Sequence, residues 1–388
     1  MFGWGWWNGA SAFRIRLASL AGEAGGTPPF DTPALIASRI AAAAAARTAL
    51  GLGGTGPDGT DVYRLVNSEG DRLSGLVVDR LGSALVVSAS AAWVVFHRPA
   101  VEAACRAAVP GATSLIWTTA MLREEGIDAG DGSDSDSDGE GEGGGGGNGA
   151  PAAAAATPAT RSPPAPSSVT ITEHGLRFAT APGTGQKTGF YADQRDSRRL
   201  VASGGLVRPG DAVLDVCCYS GGFAIAAASA GAGAVIGVDS SAPALAAAAV
   251  NADLNGVGGA IEWVKADALA FMKAADPARF RLVVLDPPKL APSRASLGPA
   301  LRKYRALNAA ALRCVADGGL LMTCSCSGAV AQAPGGVFLP MLRAAAADAG
   351  VRLAVLRVAG AGADHPVDPA HAEGAYLTNV LVRVERVR

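Results

Sequence analysis

The sequence predicts an α/β protein: a doubly wound, mostly parallel sheet of seven strands in the carboxyl-terminal half, preceded by a smaller α/β unit. Three observations predict it. From Asp211 onward, apolar runs at Ala212 to Val216, Ala234 to Val238, Ile261 to Val264, Leu282 to Leu285, Leu320 to Thr323, Val351 to Val358 and Leu377 to Val384 alternate with helix-length segments, the rhythm of strands joined by crossover helices. The first three runs close on an acid, Asp215, Asp239 and Asp267, at the sheet edge where such folds take ligands. Between Ala129 and Ser168 no large apolar side chain occurs, so that stretch cannot bury enough surface to offset its ordering entropy and reads as a disordered insert.

The elements ahead of the insert are shorter. Residues 34 to 50 are alanine-rich with Arg39 and Arg47, which predicts a helix. From Tyr63 to Ala91, the runs Leu76-Val-Val and Ala84-Leu-Val-Val are separated by Asp79-Arg80-Leu81-Gly82, the pattern of a strand, a tight turn and a returning strand. A central α/β domain over 21–128 is expected from these pieces. The aspartates from Asp131 to Asp138 alternate with serine but lack the closing glutamate of a calcium loop, and read as a solvated linker.

Composition narrows the class. The chain has 388 residues, enough for two or three domains. It is 49% hydrophobic and 17% charged; alanine supplies much of the apolar excess, and no run of spanning length is free of polar interruption, so a soluble protein without membrane contact is expected. A net charge of −1 excludes a uniformly basic nucleic-acid binder, and any RNA contact must be a local patch. Six cysteines, with Cys217 next to Cys218 and Cys324 two from Cys326, fit neither a disulfide framework nor a zinc spacing; reduced thiols, no metal and an intracellular setting are expected. The opening Met1-Phe-Gly-Trp-Gly-Trp-Trp lacks the layout of a secretory signal, and the choice between cytoplasm and organelle stays open.

The first run passes through Asp215-Val-Cys-Cys-Tyr219-Ser-Gly221-Gly222-Phe223 into an alanine-rich helix, so a glycine turn lies where backbone can approach a ligand. A nicotinamide fingerprint needs glycines at positions one, three and six, which this turn lacks. Asp239, with Ser240 beside it, is placed to accept ribose hydroxyls, and Asp267 to meet an adenine edge; both could equally be helix N-caps. The order and spacing of the three acids point to S-adenosylmethionine.

After the fourth run comes Asp286-Pro287-Pro288-Lys289, and after the fifth Thr323-Cys324-Ser325-Cys326-Ser327. Two prolines fix a rigid turn whose ring faces and carbonyls could hold an extruded base. Lys289 stands where amino-group methyltransferases put a stacking aromatic residue, which leaves room for attack at a ring carbon. Carbon 5 of cytosine takes a methyl group only after a thiolate adds at carbon 6, and Cys326 at the strand end is the expected nucleophile. Asp286 would orient the cytosine amino group or act as base, and Lys289 would place a phosphate or carbonyl. Cys324, Cys217 and Cys218 read as core. Tyr304 and Asn308, one helical turn apart, could line the substrate cleft.

These residues resemble the ribosomal RNA large subunit methyltransferase I family. The blocks that carry the resemblance are Tyr63-Arg-Leu-Val-Asn-Ser-Glu-Gly-Asp with Gly75-Leu-Val-Val-Asp-Arg80, Glu173-His-Gly-Leu, Gly185-Gln-Lys-Thr-Gly-Phe-Tyr-Ala-Asp-Gln-Arg195, Cys218-Tyr-Ser-Gly-Gly-Phe223, Asp286-Pro-Pro-Lys289, Tyr304 with Asn308, Ser325-Cys-Ser-Gly328, and Ala363-Asp-His-Pro-Val367 before Glu373-Gly-Ala-Tyr-Leu377. The resemblance implies a class I, Rossmann-like methyltransferase domain at 169–388 making 5-methylcytosine in large-subunit ribosomal RNA, with Cys326 as the attacking thiol. It implies that Lys187 to Arg195 is a hairpin and loop over the cofactor, with Gln194 and Arg195 near its methionine end and Tyr191 also binding the cofactor, and that His365 is a substrate-side element. It also implies a PUA barrel at the front, of which residues 1–20 match only the last strands; the tryptophans there would be orphaned core. A homodimer is compatible with these features. Rival readings are the same fold acting on another nucleotide or a small molecule, and a non-catalytic RNA-binding or ribosome-assembly protein.

Overall fold

The computed structural model describes residues 3–20, 22–23, 31–54, 59–118, 122–125, 168–183 and 188–387. It opens on an antiparallel hairpin of β1 (Gly3–Trp7) and β2 (Ile15–Leu20). Trp6 stacks on Trp93 at 4.0 Å between ring centroids, so this tryptophan is packed on the following domain, whereas Trp7 remains 75% exposed. The hairpin is held to that domain by Glu125, which accepts from Asn8, Ser11 and Arg16.

The predicted helix is α1 (Thr32–Ala49), capped by Asp31 through the Ala34 amide and started by Pro33, both favourable at a helix N-terminus. Ile36, Ile40, Ala43 and Arg47 recur at three- and four-residue spacing on its buried side. There follow β3 (Val62–Asn67), β4 (Leu76–Leu81), β5 (Ala84–Ala89), α2 (Ala92–Phe96), α3 (Arg98–Ala108) and β6 (Ser114–Thr118). The four strands form a sheet in order β3-β4-β5-β6, in which β6 alone is parallel to its neighbour. The turn falls at Gly82-Ser83 rather than over Asp79 to Gly82. Asp79 and Arg80 stay inside β4 because Asp79 is paired with Arg64 and accepts from Thr188 at 2.8 Å, which makes a charged residue tolerable in a buried strand.

The insert read at 129–168 lies outside the described residues except for Ser168. A second hairpin, β7 (Val169–Glu173) and β8 (Leu176–Thr180), packs Ile171 and Phe178 into the core. The segment expected to be a hairpin at Lys187 to Arg195 is not one. Lys187 lies outside the described residues, and the rest is an irregular stretch, a 3₁₀ turn at Ala192–Gln194 and the first residue of α4 (Arg195–Ser203).

All seven apolar runs enter one sheet: β9 (Ala212–Val216), then α5 (Gly222–Ser229), β10 (Ala234–Asp239), α6 (Ala242–Leu254), β11 (Ile261–Lys265), α7 (Ala268–Ala274), β12 (Phe280–Leu285), α8 (Leu297–Cys314), β13 (Val315–Ser325), α9 (Gly328–Ala331), α10 (Phe338–Ala349), β14 (Val351–Ala359) and β15 (Thr378–Arg386). The strand order is β11-β10-β9-β12-β13-β15-β14. Only β15 runs antiparallel; it follows β14 with no intervening crossover helix, which a parallel neighbour would require. The order reverses between β9 and β12, and that switch point opens a crevice at the carboxyl ends of the strands. Central strands are buried on both faces, as Leu282, Val283, Val284 and Leu285 show, each side chain stabilising the fold by roughly 1.5–3 kcal/mol. No described helix is long and apolar enough to cross a membrane.

Candidate active site at the carboxyl edge of the sheet

The turn after β9 is built from left-handed residues at alternate positions: Cys217 at φ 62°, Tyr219 at φ 48° and Gly221 at φ 83°. Two of the three carry side chains, so the strain is held by the surroundings, as is common where backbone shapes a ligand site. A Cβ on Gly221 would lie 2.7 Å from the Trp263 ring, and one on Gly237 2.4 Å from it, because that indole fills the space beneath the turn. Gly222 packs against the Arg198 side chain.

The three strand-end acids differ in depth. Asp215 is 0% exposed; its Oδ2 accepts the Ala224 amide at 2.9 Å and its Oδ1 has no partner. Burial, with Asp286 and Asp239 adding, pushes its carboxyl up to about 8. It anchors the first turn of α5 through the Ala224 amide, and Phe223 is likewise buried in the core. Asp239 is partly exposed and accepts the Tyr219 and Ser241 amides at 3.0 and 2.9 Å. Ser240 beside it is exposed. Asp267 is exposed at the end of β11 and caps α7 through the Ala270 amide at 2.9 Å. A glycine turn with no room for a Cβ, followed by a partly exposed and an exposed acid, fits a nucleoside laid along this edge.

On the other side of the switch point, the Asp286 amide continues the strand pairing by donating to the Val216 carbonyl at 3.2 Å, and Gln194 donates to its Oδ2 at 3.1 Å. Pro287 is buried, while Pro288 and Lys289 are exposed. Tyr191 meets Tyr219 edge to face at 5.3 Å. Its hydroxyl is pushed well up by burial, then by Tyr219, Cys326, Asp193 and Asp286.

Cys326 is partly exposed between two fully buried serines. Ser325 donates to the Tyr304 hydroxyl at 2.9 Å, that hydroxyl lies 3.2 Å from Ser327, and Ser327 accepts the Ala291 amide at 3.1 Å. Tyr304 therefore does not line an open cleft; it is fully buried and fixes both neighbours of the thiol. Asn308, also buried, donates to the Tyr304 carbonyl at 2.8 Å. Cys324 is fully buried, receives a hydrogen bond from Asn379 at 3.1 Å, and is pushed well above the ordinary thiol range by burial and then by Asp286.

Two residues expected at the site, Arg195 and His365, are buried on one shared carboxylate. Arg195 donates to Asp364 at 2.9 Å, and His365 is buried with its ring nitrogen 3.0 Å from the same carboxylate. Asp364 also accepts the Arg64 amide at 2.8 Å, and its carbonyl accepts from Arg47 at 2.7 Å. Burial alone would raise its pKa, but the His365 ring and the Arg195 guanidinium hold it well below the usual carboxylate range. This clasp between the middle domain and the sheet domain had no sequence signal beyond its own short block, since its partners lie 317 and 300 residues away. A second anchor, Glu173 with Arg198 at 2.6 Å, holds the Tyr191 carbonyl through the same guanidinium at 2.9 Å.

The chain is similar to known proteins in sequence and in fold. Residues 161–378 match the family model described as S-adenosylmethionine-dependent methyltransferase. The chain is 33% identical over 326 residues to Ribosomal RNA large subunit methyltransferase I of Aeromonas hydrophila, covering 83% of this chain and 74% of the relative. It is 31% identical to the protein of that name from Escherichia coli, covering 84% and 76%. Among solved structures it is similar in fold to a protein described as a methyltransferase complexed with SAH, with a TM-score of 0.71 at 17% identity over 98% of this chain and 88% of the other. A SAM-dependent methyltransferase from Streptococcus mutans gives a TM-score of 0.70 at the same identity and coverage.

Proposed function

The chain belongs to the S-adenosylmethionine-dependent methyltransferase family and, within it, to the group of ribosomal RNA large subunit methyltransferase I, and from that premise we propose that it methylates carbon 5 of a cytosine in large-subunit ribosomal RNA through a covalent adduct at Cys326. The cofactor is S-adenosylmethionine, which supplies an electrophilic methyl group on a sulfonium. Gly221, Asp239 and Asp267 would hold its nucleoside, and Tyr191 and Tyr219 the space toward the acceptor.

The observation that supports the reading is the placement of Cys326. Cys326 is partly exposed between two buried serines locked by Tyr304, directly after the strand that neighbours the one leading to Asp286. As thiolate, Cys326 adds to carbon 6 of the base and builds electron density at carbon 5, which takes the methyl group. Loss of the carbon-5 proton then re-forms the double bond as the carbon–sulfur bond breaks and the thiolate leaves. Asp286 presents the carboxylate that orients the base amino group or receives that proton.

The test is transfer of labelled methyl from S-adenosylmethionine to unmodified large-subunit ribosomal RNA, with the product nucleoside identified by mass spectrometry. Label is expected in 5-methylcytosine, with the rate reduced about a thousandfold or more in Cys326→Ala. Cys324→Ala is expected to retain transfer despite the unpaired Asn379 amide it leaves, a stability cost of about 1–3 kcal/mol. Transfer that survives Cys326→Ala would sink the covalent mechanism.

A further inference from the structure

Between Pro287 and Ala316 the chain carries no aspartate or glutamate, but has Lys289, Arg294, Arg302, Lys303, Arg305 and Arg313. The whole chain balances 33 basic against 34 acidic residues, so this stretch is a local excess of positive charge. The structure divides the six. Arg305 is bound bidentately to Asp348 at 2.6 and 2.7 Å, and Arg313 donates to the Asp348 carbonyl at 2.9 Å. Lys289, Arg294, Arg302 and Lys303 are exposed, and none takes part in an ion pair among the described residues.

Those four lie on the segment that is tied to the neighbours of the candidate thiol. The segment 289–296 leaves the carboxyl end of β12, and α8 starts there and runs back toward the amino edge, because β13 is parallel to β12. Residues 297–303, its first two turns, are therefore at the crevice. The segment is also tied to the site: the Ala291 amide donates to Ser327, Tyr304 follows Lys303 directly and is bonded to both serines that flank Cys326, and Ser296 closes a tight turn on the Ser293 carbonyl at 2.7 Å. Unneutralised cations held on a firm support beside a catalytic crevice raise the local concentration of a polyanion, and each phosphate contact adds affinity that salt removes.

We propose that Arg294, Arg302 and Lys303, continuing from Lys289, form a track for the phosphates of the single-stranded RNA that flanks the target base. The inference rests on the RNA reading of the site and adds the path of the strand. An extruded base enters at Cys326 while its backbone passes over the loop after β12 and the start of α8.

The experiment measures binding of a single-stranded fragment of large-subunit ribosomal RNA between about 50 and about 200 mM salt. It compares wild type with the triple variant Arg294→Gln, Arg302→Gln and Lys303→Gln. A second triple, Arg208→Gln, Arg279→Gln and Arg352→Gln, removes the same charge from exposed positions at the opposite, amino edge of β9, β12 and β14. The track predicts that the slope of log affinity against log salt becomes shallower by about 2 in the first triple, so that wild type loses roughly 20-fold more affinity over that fourfold salt range. The second triple keeps the wild-type slope, and S-adenosylhomocysteine binding, unchanged in both, shows that the fold is intact. Equal slopes in the two triples would overturn the track and leave the RNA reading standing. Wild type that binds no ribosomal RNA fragment would overturn both.

Discussion

A carboxyl group with no exposed atom must find partners or give up its charge. Asp215 finds one, the Ala224 amide, and its pKa is pushed up to about 8. An unfolded aspartate ionises near pH 4. Between those values the unfolded chain has released a proton that the native chain keeps, so stability is fully present below about pH 4 and is lost as pH rises to about 8, at about 1.4 kcal/mol per unit at most. Asp215→Asn keeps an acceptor for Ala224 and has nothing to ionise. The variant is expected to gain on wild type by a few kcal/mol between pH 5 and pH 8, measured as denaturant midpoints across about that range; parallel profiles would show that Asp215 is charged in the native state. The same residue shows what sequence reading could not supply. Asp215, Asp239 and Asp267 look alike as strand-end acids, yet Asp215 sits in β9, flanked by β10 and β12, while Asp267 follows the edge strand β11 and reaches solvent.

At the scale of elements, the strands of the large sheet were legible because each is a run of apolar residues bounded by polar or glycine-rich segments. Their limits were less so. β13 begins at Val315 and carries Asp317-Gly-Gly within it, and β12 begins at Phe280; pairing with neighbours extends both past the apolar core. The turn after β9 was legible as glycine-rich, but its left-handed alternation was not, since Cys217 and Tyr219 adopt it only under tertiary constraint. Gly221 is the point where that turn meets α5 and Trp263. Gly221→Ala must hold φ 83° with a Cβ 2.7 Å from the indole, which costs about 1–3 kcal/mol in strain. Because the turn is the expected cofactor floor, calorimetric titration with S-adenosylhomocysteine should show affinity at least about tenfold weaker, with helix content retained. Unchanged affinity would place the nucleoside away from the turn.

Across the whole molecule, the middle domain and the sheet domain are joined through charge as well as apolar packing. Asp364 is 0% exposed and takes hydrogen bonds from Arg195 in α4 and from the Arg64 amide in β3, while Arg47 in α1 bridges Asp71 and the Asp364 carbonyl. Arg195 follows Gln194, which holds Asp286. One carboxylate thus sets both the docking of the domains and the loop beside the candidate site. Removing one partner of a buried pair leaves the other charge uncompensated, at about 3–5 kcal/mol. Asp364→Asn preserves shape and one acceptor but leaves the buried Arg195 guanidinium, whose Nη1 already has no partner, with only the more exposed Asp196 carboxylate at 3.3 Å. Thermal unfolding by calorimetry is expected to show a single transition in wild type and a lower, broader one or two in Asp364→Asn, because the domains lose one of the charged contacts that couple them while Arg47, Asn67 and the apolar packing still hold. Methyl transfer should fall through kcat more than through cofactor affinity, since Asp286 is misplaced while Asp239 and Asp267 are untouched. A single transition shifted down with kcat intact would mean that Asp364 stabilises the fold without positioning the site.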